Sequence, residues 1–200
     1  MPEAAASSSG RFEVAPANGG TNGFGSSPAV AKPAFGRGSG VSREVSAIDR
    51  TTGIALMEVY DLTVGAAGQR LTNLSTRGAV GNGANALLCG LYVAGTQPKR
   101  LLIRGVGPGL AAFGDTGVVA KPVLTLYRGT TQVSQNTGWE TSADAVAIIT
   151  GALEANTFAL TPGSADSAIL VNLAPGLYTA QVTSLDASAG QGLIEIYELP

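Results

Sequence analysis

Residues 45–62, VSAIDRTTGIALMEVYDL, return without a gap as residues 182–199, VTSLDASAGQGLIEIYEL, at an offset of 137. Seven of the 18 positions are identical: Val45/Val182, Asp49/Asp186, Gly53/Gly190, Leu56/Leu193, Glu58/Glu195, Tyr60/Tyr197 and Leu62/Leu199. Self-similarity of this length marks duplicated structure. In each copy the Leu, Glu, Tyr and Leu recur at every second position, so they share one face of a β-strand. The Asp…Gly interval ahead of them carries turn chemistry. Each copy therefore predicts strand, loop and strand, read as a β-hairpin at 42–62 that repeats 179–199. The second copy ends a longer run of strands, while the first has no counterpart of 63–181 ahead of it. The expectation is a tandem array of units about 137 residues long. Residues 64–200 are then one unit, and 42–62 are the orphan end of another.

Short strand patterns fill the interval between the copies. Ala86–Val93, Arg100–Arg104, Pro122–Arg128, Thr131–Ser134, Ala168–Leu173, Leu177–Leu185 and Leu193–Leu199 are β-branched or alternate apolar with polar. Gln69–Ser75 alternates more weakly. Arg128-Gly129-Thr130 and Ala174-Pro175-Gly176 are turn signals. One helix is expected near 143–154, capped by Ser142 or Asp144, with Val146, Ile149 and Leu153 on its apolar face. Many short strands with one helix predict an all-β fold, an antiparallel β-sandwich of jelly-roll type.

Residues 1–41 hold 26 Gly, Pro, Ser and Ala and show no hydrophobic period. Such a segment buries too little apolar area to offset its ordering entropy, and reads as a flexible tail. An isolated hairpin is marginal in water and presents free edges. The hairpin at 42–62 is therefore expected to pack beside the same domain. Fraying is the second expectation, and strand addition to another chain through 43–62 the third.

Composition removes several chemistries. The chain has no His and one Cys, so Ser-His-Asp triads, Cys/His zinc sites and internal disulfides are excluded. With a net charge of −2, no electrostatic pull toward nucleic acid is expected. No apolar run reaches membrane-spanning length, and MPEAAASSSG lacks the pattern of a secretory signal, so neither is expected. No Asp-x-Asp or EF-hand spacing occurs, so no metal site is expected, and no cofactor.

The remaining candidates are binding residues. Trp139, the only tryptophan, Tyr127, and the further aromatics Tyr92 and Tyr178 could stack on sugars where exposed, although a buried Trp is the commoner case. Arg70, Arg77, Lys99, Arg100 and Arg104 are five of the seven basic residues after position 64 and could grip an acidic glycan or phosphate, Arg100 and Arg104 from one face of a single strand. Paired or solvated arginines are commoner. The recurrence of Glu58 and Glu195 beside a Tyr reads as a buried Glu–Arg pair of structural character. Gly105-Val106-Gly107-Pro108-Gly109 follows a strand but fails the dinucleotide fingerprint and reads as a turn. Cys89, in an apolar strand, reads as a buried small hydrophobe.

RLTNLSTRGAVG (70–81), PKRLLIRGVGPGLAAFG (98–114), VLTLYRG (123–129), LAPGLYTAQV (173–182) and GLIEIYEL (192–199) resemble a repeat module of large secreted bacterial, Verrucomicrobia-like, surface proteins. The second half is also similar to bacterial pre-peptidase C-terminal domains, which are β-sandwiches. The resemblance covers about 70–200 and brings no catalytic residues. It implies a non-enzymatic extracellular structural or adhesion module, secreted or on the cell surface. The implied partners are neighbouring repeats or glycans. A carbohydrate-binding module is the alternative function.

Overall fold

A computed structural model of the chain describes Val45, residues 53–58 and residues 71–200. The expected tail at 1–41, most of the expected hairpin and Arg70 lie outside the described residues. Within them the strands are β1 (Asn73–Val80), β2 (Leu87–Val93), β3 (Lys99–Val106), β4 (Pro122–Arg128), β5 (Thr131–Asn136), β6 (Ser167–Leu173), β7 (Gly176–Ser184) and β8 (Gly190–Glu198). One α-helix, α1, spans Ala145–Glu154. The strands form two four-stranded sheets, in the orders β1-β8-β3-β6 and β2-β7-β4-β5. Every ladder is antiparallel. This is a jelly roll, an all-β sandwich of two Greek keys.

The period-2 patterns explain the first core. Cys89, Val93, Leu101, Ile103, Leu124, Leu126, Ile169, Ala180, Val182, Ile194 and Ile196 meet between the sheets. A second core lies on the opposite face of the β1-β8-β3-β6 sheet. There Leu102, Val106, Ala168, Tyr197 and Leu199 pack under Trp139, Ile148 and Leu160. The inner strands β3 and β8 of that sheet are therefore buried on both faces, and α1 with the flanking loops forms a third layer. β3 shows this directly, since Leu101 through Val106 are all buried.

Two expectations are corrected. The stretch 179–199 is not a ladder-paired hairpin, because β7 and β8 belong to different sheets. Jelly-roll winding carries the chain across the sandwich at Leu185–Ala189, and β8 pairs with β1 and β3 instead. The Asp186 carboxylate organises this crossing by accepting from Ser184 Oγ (2.8 Å), Ser188 Oγ (2.6 Å) and Ser188 N (3.2 Å). These bonds, those from Ser188 foremost, hold its carboxyl down at about pH 2. In the first copy, residues 53–58 join no strand, and Ile54 and Leu56 are 92% and 79% exposed.

The helix also docks by an unexpected face. Val146 and Leu153 are 78% and 75% exposed, Ile149 49%, while Ile148 is buried. The reason is Gly151, where an added Cβ would sit 2.9 Å from Leu199 Cδ1. A backbone can approach this closely only where the side chain is missing, so the small side of the helix meets the sheet.

Candidate functional site

β3 and β8 are neighbours with Arg104 opposite Glu195. Both side chains face the second core and are fully buried, the expected Glu–Arg pair. Glu195 Oε2 accepts from Arg104 Nε at 2.9 Å and from Arg104 Nη2. Arg104 Nη1 donates to the Phe158 carbonyl at 2.6 Å and Nη2 to Thr157 Oγ1 at 2.5 Å. The Tyr197 hydroxyl donates to Glu195 Oε1 at 2.7 Å and lies 3.0 Å from Thr157 Oγ1. The guanidinium stacks 4.1 Å above the Phe158 ring. A buried charge needs this saturation of partners. Burial, then the neighbouring Glu195 charge, pushes the Tyr197 phenol up to about 12. The network ties α1's following loop to β3 and β8, and its groups answer one another.

The glycine loop after β3 is equally self-contained. Asp166 is fully buried and caps it. Its Oδ1 accepts from Gly107 N at 2.8 Å and Gly109 N at 3.1 Å, and its Oδ2 from Ser164 Oγ at 2.7 Å. The loop's amides do gather around an anion, and that anion is the chain's own carboxylate.

The other basic candidates are paired too. Arg77 meets Asp115 at 2.8 Å, Lys99 meets Glu198 at 3.0 Å and Arg100 meets Glu154 at 2.7 Å. Arg100 and Arg104 do share a face of β3, as their spacing predicts. Layering separates them: Arg100 reaches solvent at the sheet's end and Arg104 lies under Phe158. Arg104 as a solvent-facing ligand grip is thus corrected. Trp139 as a stacking platform is corrected as well, since it is 3% exposed in the second core. It borders a small cavity of about 70 Å³ with Arg104, Ile148, Ala152 and Leu160. Its buried indole N–H has no hydrogen-bond partner. Among the described residues, no group of three or more Cys, Asp or Glu could hold a metal ion.

Tyr127 is placed differently. Leu124 and Leu126 point into the sandwich, so Tyr127 stands on the outer face of the β2-β7-β4-β5 sheet. Register puts it opposite Thr179, and Thr179 opposite Gly90. The adjoining row pairs Tyr92 with Leu177, and the row beyond aligns Leu88, Gln181, Thr125 and Gln135. Tyr92, Leu177 and Leu88 are 68%, 71% and 58% exposed. A Cβ on Gly90 would meet nothing within 4 Å, which leaves a shallow floor between Tyr92 and Leu88. Neighbouring strands lie ~4.8 Å apart, so Tyr92 and Tyr127 stand on the order of 10 Å apart across the sheet. Tyr178, named with them in sequence, is 5% exposed in the first core, and since spacing gives each strand's faces but not their alignment, Leu177 and Leu88 are companions of Tyr92 and Tyr127 that only the register shows.

Cys89 lies on the inner face of the same sheet. Burial pushes its thiol from 9.0 up to about 11. The protonated form is thus favoured on folding. Its contribution to stability is full below the ordinary thiol value and is lost as pH rises from about 9 toward 11. We expect Cys89→Ala to flatten the alkaline fall in thermal midpoint between pH 9 and 11. An unchanged fall in that variant would place its origin elsewhere. The wild-type thiol should react with an aromatic disulfide reagent at pH 8 only after denaturant is added.

No protein-family model matches the chain, and no curated protein matches it. Among solved structures, the chain is similar to the 1.0 Å crystal structure of the pre-peptidase C-terminal domain of a collagenase from Bacillus anthracis. The TM-score is 0.38 at 12% identity, over 62% of this chain and 88% of that one.

Proposed function

We propose that the chain is a non-catalytic structural or adhesion module of a secreted or cell-surface bacterial protein, of tandem-repeat origin. The observation that carries this reading is where the ionisable groups go. Arg104, Glu195 and Asp166 are fully buried and answer one another or backbone groups, while Leu88, Tyr92 and Leu177 are exposed together on one sheet face. Catalytic acids and bases act when they reach a substrate, and these are spent on holding layers together. The Ser-, Thr-, Gly- and Ala-rich composition and the resemblance of residues 70–200 to secreted repeat modules support the location. Antibody to the folded chain should label intact, unpermeabilised cells or detect it in the medium. Recovery from the cytosolic fraction alone would overturn the proposal.

The outer face around Tyr92 and Tyr127 favours a second reading, carbohydrate binding. Two aromatic rings beside Leu177, with Gln181 and Thr179 between the strands, offer the apolar faces and polar rims that pyranose rings match. A glycan array should return polysaccharide hits that Tyr92→Ala and Tyr127→Ala each weaken about tenfold, with melting unchanged. Hits insensitive to both substitutions, or no hits, would remove this reading.

A further inference from the structure

The sandwich has four edge strands, β1 and β6 in one sheet and β2 and β5 in the other. An edge strand offers backbone amides and carbonyls to any chain that meets it, and folds blunt such edges with charge, proline, bulges or covering groups. Three of the four edges carry such a device. β1 bears Arg77, held by Asp115. β5 is bulged, because Leu126 pairs with Ser134 and Tyr127 with Gln132. In β6 the Ala168 amide donates to the Asn136 side-chain oxygen at 3.1 Å. β2 carries none of them. Its sequence, LLCGLYV, has no charge and no proline. Its ladder to β7 runs from Leu87 to Val93 without a shift, and among the described residues it has no ladder on its other side.

The same strand is apolar on both faces. Leu88 and Tyr92 are exposed on the outer face, with Gly90 between them. Leu87 and Leu91 face the core between the sheets yet stay half-buried. Counted outward from Gly90, the strand is also symmetric in its chemistry: Cys89 mirrors Leu91, Leu88 mirrors Tyr92 and Leu87 mirrors Val93. A two-fold axis through Gly90 therefore lays an antiparallel copy alongside with an apolar side chain opposite each apolar side chain.

We propose that the free edge of β2 is a homodimer interface: two copies of the chain pair through antiparallel β2 strands, Gly90 opposite Gly90, and join their four-stranded sheets into one of eight. Two features select a second copy of this chain. The edge matches itself position by position, and neither β2 nor the adjoining β7 holds a charge that would meet its like across the axis. Leu88 of each copy packs against Tyr92 of the other on the outer face, and Leu87 and Leu91 lose their remaining exposure on the inner one. The strip is narrow. Seven strand residues span about 24 Å, so each copy buries on the order of 500 Å², less than the ~800 Å² of a standard interface. The dimer is accordingly weak and reversible. It stands independently of any ligand for the outer face.

Sedimentation equilibrium of the full chain over roughly 1–500 μM should show the mass rise from 20.0 kDa toward twice that value. Gly90→Lys sets two like charges opposite each other at the axis. A Cβ at Gly90 meets nothing within 4 Å, so the fold accommodates the change. This variant should stay at the monomer mass throughout, without a lower thermal midpoint in dilute solution. Gln132→Lys, an exposed change on the β5 edge, should leave dimerisation intact. Cross-linking reads the register. Directly opposite residues lie ~4.5–5.5 Å apart at Cα, within the reach of a disulfide. In a Cys89→Ala background, Gly90→Cys should oxidise to a covalent dimer. Leu88→Cys in the same background should not, because its two copies stand far apart along the paired strands. Three results would overturn the proposal: a chain that stays monomeric over the whole range, a dimer that survives Gly90→Lys, or one that links through Leu88→Cys and not through Gly90→Cys.

Discussion

Replacing Glu195 with alanine should cost about 3–5 kcal/mol and lower the thermal midpoint by roughly 10–20 °C. The change leaves the Arg104 guanidinium fully buried with its carboxylate gone, while Tyr197 loses its acceptor. An uncompensated buried charge is among the few single defects of this size. Arg104→Ala should cost a similar amount, because it strands the Glu195 carboxylate in the same place. The double variant Arg104→Met/Glu195→Leu should lose much less than the sum of the single losses. An apolar pair of similar volume removes both desolvation penalties together. Chemical denaturation of the four proteins gives the coupling energy. A Glu195→Ala loss below about 1 kcal/mol would show that the pair does not hold the layers.

Asp166→Ala should cost about 2–4 kcal/mol, for a different reason. It leaves the Gly107 and Gly109 amides without their acceptor in a site closed to water. Each unsatisfied buried donor carries about 1–3 kcal/mol. The loop cannot turn elsewhere, because Gly107 packs against Val119 and a Cβ would come within 2.8 Å of Val119 Cγ1. Asp166→Asn should cost less, since one acceptor oxygen survives. Added formate, which matches the deleted carboxylate in size, should partly restore the alanine variant if the loop still gathers its amides. Equal losses for the alanine and asparagine variants would mean that side-chain shape, rather than the anion, organises the loop.

Local patterning makes much of the fold readable in advance. β4 spans the same residues, Pro122–Arg128, that alternation predicts, and β2, β3, β6 and β7 differ from expectation by a few terminal residues. The weakest pattern gave the largest error: β1 begins at Asn73 and runs through Arg77 and Gly78, where alternation is poor. The pairing of a glutamate with an arginine was also legible, because a carboxylate kept between Leu and Tyr in both copies needs a counter-charge. The site was harder. Arg104 and Trp139 resemble exposed binding residues in sequence. A third layer buries both, and nothing in a strand's own period announces that layer. Val146, Ile149 and Leu153 form a true helical stripe, yet Gly151 draws the opposite side of α1 onto the sheet.

The sequence by itself determined which residues share a strand face, that residues 45–62 duplicate 182–199, and that imidazole chemistry and an internal disulfide are closed to this chain. A period of two assigns side chains to faces, and composition removes functional groups outright, so neither needs a partner strand to be known. Tertiary structure decided which faces are covered. It set β7 and β8 in opposite sheets, buried Arg104 against Glu195, and left Tyr92 exposed and Tyr127 half-buried on one sheet face. Those outcomes depend on contacts between residues far apart in the chain, whose energies are fixed only when the layers meet.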